Sequence, residues 1–543
     1  MKLWKKIWVL TLCLALVGGL IAPIRTVEAE EAETEPIVIT TFYETGEVPT
    51  DDNVIAELMK EDLGVILDVE YLVGDLDERV GVMVASGEYP DLMPFEQRIV
   101  DAGGARPLDD LLPNYPNLDA HYSPYYNKMR SPDDGKIYYL PNFGIVQGEE
   151  AVTEHWGTGV FIQKHVMEDA GYPTITTLDE FVELIANYVE KYPEIDGAPT
   201  IGYTILNDSW RNFGLVNPPK FLAGSPNNGN AMVDPETEIA YDATTSDTTK
   251  IYYETLNDMM KRGLMDREFA AMNYDQYIAK LSSGTVLATM DQQWSMNSAN
   301  TALVSQGMHE RTYLSIPLVY DDSYTEHYRD QTVLNLSNGF MLTTTDDDKV
   351  DAIMTFLDGI TTEKWTKLLT WGIEGEAYEV DENGKFYRTP EQRKEQENSS
   401  WPLKNRLNAF LNYAPKIEGT YSDGNVYGPG NDPQEFYDGL NEYNKKFLDA
   451  YGFKSWSEFY RVPEESPVWY PTWTINLPDG SPEAIASTKA ADINVQMLPQ
   501  VIAADDFEAA WAEYVAEYET ANYDIVIDYI NDQIQWRIEN WSE

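Results

Sequence analysis

The spacing of apolar residues changes character several times along the chain, and each change predicts an element. Ile37-Val38-Ile39-Thr40-Thr41-Phe42 is a β-branched run that reads as a buried strand. Val54, Ile55, Leu58, Met59 and Leu63 then recur at helical intervals, with Asp51 and Asp52 as cap candidates and Gly64 where the helix should stop. A second strand follows at Val65–Val69, then a helical stretch near Asp77 to Ala85. This β-α-β-α start argues an α/β lobe with a largely parallel sheet.

The pattern restarts downstream. Gly159-Val160-Phe161-Ile162 is strand-like, and Thr177 with Glu180 forms a capping box ahead of Leu178, Phe181, Val182, Ile185 and Val189. Val286 to Met290 is a further strand, running into Asp291-Gln292-Gln293-Trp294. Leu314–Val319 and Gly339–Leu342 add two more, and Asp346 to Gly359 reads as a helix. From about 375 to 482 the chain is rich in Gly/Asn turns, Pro, Trp and Tyr, with a loop-like run from Tyr421 to Pro433. Helical spacing returns at Asp505–Tyr518 and Tyr523–Trp536. No repeat of 20–50 residues is visible, which argues against solenoids and propellers.

The first residues follow another logic. Lys2, Lys5 and Lys6 precede an apolar run from Ile7 to Ala22, too short for a comfortable span, and Val27-Glu28-Ala29 supplies a cleavage site. Residues 1–29 are therefore expected to be a signal peptide and 30–36 an acidic linker. Cys13, the one cysteine, follows Leu12 inside the apolar core, out of place for lipidation. A lipid anchor is not expected; a secreted, extracellular or cell-surface protein is.

Charge narrows the partners. The 543 residues hold 38 Lys and Arg against 92 Asp and Glu, a formal charge of −54, which disfavours phosphate backbones and anionic membranes. A mature chain without cysteine excludes thiolate metal sites and cysteine nucleophiles. The five histidines, His121, His155, His165, His309 and His327, include no pair at helical metal-site spacing. No G-x-S-x-G elbow, Walker loop or G-x-G-x-x-G after the first strand occurs, so no cofactor is called for. Paired carboxylates for glycoside hydrolysis exist everywhere in so acidic a chain, and sequence proximity does not select among them. The run Asp346-Asp347-Asp348 reads better as the start of a helix, where anions meet the positive end of the dipole.

Aromatic residues say more. Trp156, Trp210 beside Arg211, Trp294 after Gln293, and Trp371 lie next to polar, loop-like sequence. Sugar rings offer apolar C–H faces rimmed by hydroxyls, which suits aromatic platforms flanked by amides, carboxylates and Arg.

At this point the sequence resembles the family 1 extracellular solute-binding proteins of carbohydrate ABC importers, in particular the large Gram-positive members. The resemblance is carried by Ala85-Ser86-Gly87-Glu88-Tyr89-Pro90-Asp91-Leu92, Pro107-Leu108-Asp109-Asp110-Leu111 and Asp134-Gly135-Lys136-Ile137-Tyr138-Tyr139-Leu140-Pro141. It continues in Pro173 to Phe181 and in Trp371-Gly372-Ile373-Glu374-Gly375 followed by Tyr378. It implies an α/β, two-lobed periplasmic-binding-protein-like fold with a helical C-terminal extension. Residues 36–145 and 320–362 are expected in lobe 1, and 146–319 and 363–543 in lobe 2, with hinges near Leu140-Pro141 and Ile316-Pro317-Leu318. It further implies a non-catalytic, monomeric receptor that captures an oligosaccharide and docks on an importer permease, the alternative being an extracellular glycoside hydrolase or polysaccharide lyase. Tyr43, Trp210, Arg211, Trp294, Trp371, Glu374 and Tyr378 are the expected ligand contacts. Some large members hold calcium after the helix that here ends near Tyr192; Tyr192–Pro199 lacks that loop pattern, so no metal is expected.

Overall fold

The computed structural model describes residues 35–142, 144–145, 152–330, 333–344 and 347–542. The expected signal segment, residues 30–34 of the expected linker and Asp346 lie outside these residues.

The chain opens as its periodicity predicts. Strand β1 (Ile37–Tyr43), helix α1 (Val54–Leu63), strand β2 (Val65–Tyr71), helix α2 (Leu76–Ser86) and strand β3 (Leu92–Pro94) follow in order. β1 lies parallel to both β2 and β3. The cap of α1 is Asn53, not the neighbouring aspartates: its side chain accepts the Ala56 N–H at 3.0 Å. Gly64 ends the helix in a left-handed conformation, φ 64°, which glycine adopts without a Cβ penalty. A short helix α3 (Tyr126–Met129) and strand β4 (Tyr139–Pro141) complete this pass through the first lobe.

The second lobe has its own sheet. Strand β5 (Thr158–Gln163) leads to helix α4 (Leu178–Lys191), opened by the Thr177–Glu180 capping box as expected. Strand β6 (Ile201–Thr204), strand β7 (Val286–Gln292), helix α5 (Gln293–Ser305) and strand β8 (Tyr313–Ile316) follow. The sheet order is β8-β5-β7-β6, with β5 antiparallel to both its neighbours and β7 parallel to β6.

The chain then returns. Strand β9 (Gly339–Leu342) inserts between β3 and β4, antiparallel to both, so the first sheet reads β2-β1-β3-β9-β4 and is mixed rather than largely parallel. A strand arriving from the other lobe enters from the end at which β3 and β4 finish, which fixes its direction. The approach is close: a Cβ on Gly339 would lie 2.1 Å from the Leu140 carbonyl oxygen. Helices α6 (Asp347–Ile360) and α7 (Glu363–Thr370) come next, and helices α8 (Pro482–Ala503), α9 (Phe507–Glu519) and α10 (Asp524–Trp541) end the chain.

Two main cores draw the lobes. Ile39 and Tyr43, on one face of β1, join Ile55, Met59, Phe340, Ile353, Phe356 and Trp365, while Phe42 on the opposite face packs with Val80, Met83 and Met341. The second core gathers β5 to β8 and α8 to α10 around residues such as Phe161, Leu287, Ile493 and Tyr514. The packing redraws the division read from sequence. Leu318, Tyr320 and Tyr328 sit in the second core, so the return crossing falls near Val333-Leu334 rather than 320. Trp365, Leu369, Leu407, Phe410, Tyr413 and Ala414 pack in the first core, so these segments sit with lobe 1 rather than lobe 2. Tyr413 stacks on Tyr43 at 5.8 Å, and Phe410 meets Phe340 at 5.6 Å. The pairs Gly144–Ile145 and Val333–Leu334 form a small antiparallel ribbon where both crossings run side by side.

Candidate functional site

The strand directions locate the end of the second sheet that matters. β5 begins just after the first crossing, and β8 ends just before the return. Because β7 is antiparallel to β5, with Gln292 opposite Thr158, β7 also ends there, and parallel β6 ends beside it. The carboxyl ends of β6 and β7 and the start of β5 therefore face the crossings into lobe 1, the position at which open α/β sheets hold ligands.

Three tryptophans stand at that end. Trp156 lies two residues before β5, Trp210 six residues after β6, and Trp294 in the first turn of α5. They are 51%, 58% and 42% exposed, and every other tryptophan among the described residues is buried or half-buried. Hydrogen bonds tie the strand ends beneath them: Gln293 N–H donates to the Gly157 carbonyl at 3.0 Å, and Gln292 Nε2 to Thr158 Oγ1 at 2.6 Å. The rings of Trp210 and Trp294 lie 6.0 Å apart and 25° from parallel, and Phe213 meets each edge-on at 5.8 Å. Phe213 is held close because its neighbour is glycine: a Cβ on Gly214 would lie 2.4 Å from the Met290 carbonyl oxygen.

Arg211 completes the cluster. Its guanidinium sits 4.4 Å from the Trp210 ring centre and 4.7 Å from that of Tyr274, a cation between two aromatic faces. Asp208 aligns both: its carbonyl accepts the Arg211 N–H at 3.0 Å and its carboxylate the Tyr274 N–H at 2.9 Å. The Arg211 Nε is buried without a hydrogen-bond partner. Asp291 lies below, accepting from Tyr277 Oη at 2.9 Å and Ser295 Oγ at 3.1 Å. Burial pushes its carboxyl up to about 6, opposed by those hydrogen bonds and by the charge of Arg211.

The other expected contacts sit elsewhere. Tyr43 is at the carboxyl end of β1 but only 1% exposed, stacked on Tyr413. Burial raises its phenol well above the usual range. Trp371 is 1% exposed, donates its indole N–H to the Val426 carbonyl at 2.9 Å, and packs with Tyr378 and Phe386 in a small satellite core. Glu374 is exposed in the tight loop between Trp371 and Tyr378. The structure thus groups Trp210, Arg211 and Trp294, and separates Trp371, Glu374 and Tyr378 from them. Trp156, whose polar setting is visible in sequence, joins Trp210 and Trp294 at this end of the sheet. Tyr274 carries no sequence signal, since it meets Arg211 only through the fold.

Among the described residues no group of three or more His, Cys, Asp or Glu is placed to hold a metal ion. The stretch after α4 is a hairpin, Glu194–Ile195 with Ala198–Pro199, and the Asp196 carboxylate in its turn pairs with the Arg311 guanidinium.

Two α/β lobes joined by side-by-side crossings, with an aromatic cluster at the crossing end of one sheet, define a two-lobe ligand-binding protein. Residues 53–371 match the model of the bacterial extracellular solute-binding protein family, and the chain belongs to that family. No curated protein matches the sequence significantly. Solved structures match the fold at low identity. The Streptococcus pneumoniae ABC-transporter substrate-binding protein FusA, an EF-hand mutant in complex with fructo-nystose, is 15% identical with a TM-score of 0.66, covering 93% of this chain and 100% of its own. An HMO-binding solute-binding protein from Bifidobacterium longum infantis is also 15% identical at 0.66, covering 94% and 100%. The N-glycan transport solute-binding protein of S. pneumoniae, in complex with Man1GlcNAc, is 16% identical at 0.53, covering 93% and 100%. The family is extracellular and generally non-enzymatic. No helix among the described residues is long and apolar enough to cross a membrane.

Proposed function

We propose that the chain captures an oligosaccharide between its lobes and delivers it to the permease of an ABC importer. The observation that carries this is the placement at one sheet end of the three tryptophans that are exposed among the described residues, with two rings nearly parallel and a guanidinium beside them. Exposed aromatic faces cost free energy in water, and a sugar C–H face relieves that cost while its hydroxyls meet the amides of Gln292 and Gln293. Oligosaccharide complexes among the low-identity structural neighbours support the same class of ligand.

A hydrolase needs two available carboxylates across one bond. The acids wired into this cluster, Asp208 and Asp291, are engaged: one fixes the Tyr274 backbone, and the other is 3% exposed and bonded to Tyr277 and Ser295. Closure follows from the two-lobe plan. A ligand that turns a 1:99 open preference into 99:1 needs about 5.5 kcal/mol of differential affinity. A glycan array with product analysis, followed by X-ray scattering on the best hit, tests the reading. Binding without products and a smaller radius of gyration are expected. Products, or no glycan bound, would overturn it. For export, intact mass of the secreted protein should show a start at Glu30 and no lipid.

A further inference from the structure

The first lobe and the last helix meet at a seam that brings two cations together outside any ion pair. A cavity of about 370 Å³ lies between Phe95 and residues 128–139 on one side and residues 474–479 and α10 on the other. That volume falls in the ~300–1,000 Å³ range of small-molecule sites. Lys128, at the end of α3, and Arg537, on α10, both line it, and both lie over the same ring: Lys128 Nζ is 5.8 Å and the Arg537 guanidinium 4.4 Å from the centre of Trp541.

Neither cation forms an ion pair among the described residues. The cavity's other cations are neutralised: Arg98 by Glu96, Arg130 by Asp109 and Lys136 by Asp134. Asp101, Asp133 and Asp479 also line the cavity, and none of them pairs with Lys128 or Arg537. Arg537, 5% exposed, spends its N–H groups on neutral oxygens: the Trp469 and Pro471 carbonyls and Thr474 Oγ1. Those bonds position the group and leave its charge uncompensated. Burial pulls Lys128 and Arg537 below their ordinary pKa values, and for Lys128 the Arg537 charge adds to it. Trp541 is 7% exposed, and its indole N–H is buried with no acceptor. Two like charges from different lobes and an orphan donor thus border one cavity, and each is costly until an acceptor arrives.

We propose that this seam binds an oxyanion (a carboxylate, sulfate or phosphate), with Lys128 Nζ and Trp541 Nε1 as donors and Arg537 as the fixed positive charge behind them. The bound group ties α10 to the first lobe. Its source is a free inorganic ion or the acidic group of a sugar. The site stands apart from the Trp210–Trp294 cluster, so it does not depend on the sugar-binding reading.

The test uses the whole exported protein, titrated with sodium sulfate, sodium phosphate, glucuronate and a glucuronate-containing oligosaccharide, against sodium chloride at matched ionic strength. Sulfate stabilises most proteins by exclusion, so each titration is repeated on Lys128→Gln, which removes the charge, and Trp541→Phe, which removes the indole N–H and keeps an aromatic side chain. A saturable rise in Tm that weakens about tenfold in affinity in both variants is expected, the size of one charge-assisted hydrogen bond. Saturation by the inorganic ions assigns a free ion. Displacement of sulfate by the acidic oligosaccharide assigns the group to a sugar. Amide exchange on the wild type gives a reading independent of variant stability: the anion should slow exchange in residues 126–130 and 536–541 together. Anions that act no differently from chloride, variants that bind like the wild type, or exchange unchanged in both segments would overturn the proposal.

Discussion

Replacing Trp294 or Trp210 by alanine probes the sugar platform directly. A free tryptophan presents on the order of 250 Å². At 42% and 58% exposure, about 100 and 145 Å² remain open on the two side chains. A pyranose laid on one of them covers about half of that, roughly 50–70 Å², worth about 1.3–2 kcal/mol at ~25–30 cal/mol/Å². Each single variant should therefore weaken binding by about ten- to thirtyfold. The two rings also hold each other, 6.0 Å apart with Phe213 against both edges, so removing one lets the other move. The double variant should then lose less than the sum of the singles, by about 0.5–1.5 kcal/mol. Calorimetric titration with the best array glycan reads the affinities, and circular dichroism checks the fold. Both single variants binding within twofold of the wild type while folded would refute the platform.

Three further outcomes are expected. Trp371→Ala removes a fully buried ring and orphans the Val426 carbonyl, so urea unfolding should show a loss of about 3–5 kcal/mol, with glycan affinity unchanged in the folded protein. A weakened affinity there would restore Trp371 to the binding surface. Asp291, raised from 3.8 to about 6, keeps its proton in the folded state at pH values where the unfolded chain has released it. Its contribution to stability therefore falls as pH rises from about 4 to 6. Relative to Asp291→Asn, the wild type should lose on the order of 2–3 kcal/mol across that window, read by denaturation at each pH. A pH-independent difference would show that Asp291 titrates normally. Gly214→Ala drives a methyl against the Met290 carbonyl and should cost about 1–3 kcal/mol while shifting Phe213. Wild-type stability by thermal unfolding would mean that the close approach is relaxed in solution.

Local pattern was enough for much of the fold. Strands β1 and β2, helix α1 with its Gly64 stop, and the Thr177–Glu180 box stand where apolar spacing and capping chemistry put them. These signals involve neighbours in sequence, and the interactions they report form within a few residues. Helix α8 is not announced by apolar spacing, although it is 22 residues long. Its buried positions include small alanines and Pro499, which blur an apolar stripe and suggest a break.

Pairing and burial were decided elsewhere. Nothing in Gly339–Leu342 says that it enters between β3 and β4 against their direction; that follows from the chain's return out of the second lobe. Nor does the irregular stretch Leu407–Ala414 announce that it completes the first core, because its partners Tyr43 and Phe340 are far away in sequence. The candidate site divides along the same line. The sequence determined that tryptophans and an arginine sit beside polar loops, which was enough to single out Trp210, Arg211 and Trp294. Only the tertiary structure decided that Trp371, in a similar setting, is buried, and that Tyr274 and Asp291 come to flank Arg211. A side chain's chemistry is local, whereas its exposure depends on which distant segments cover it.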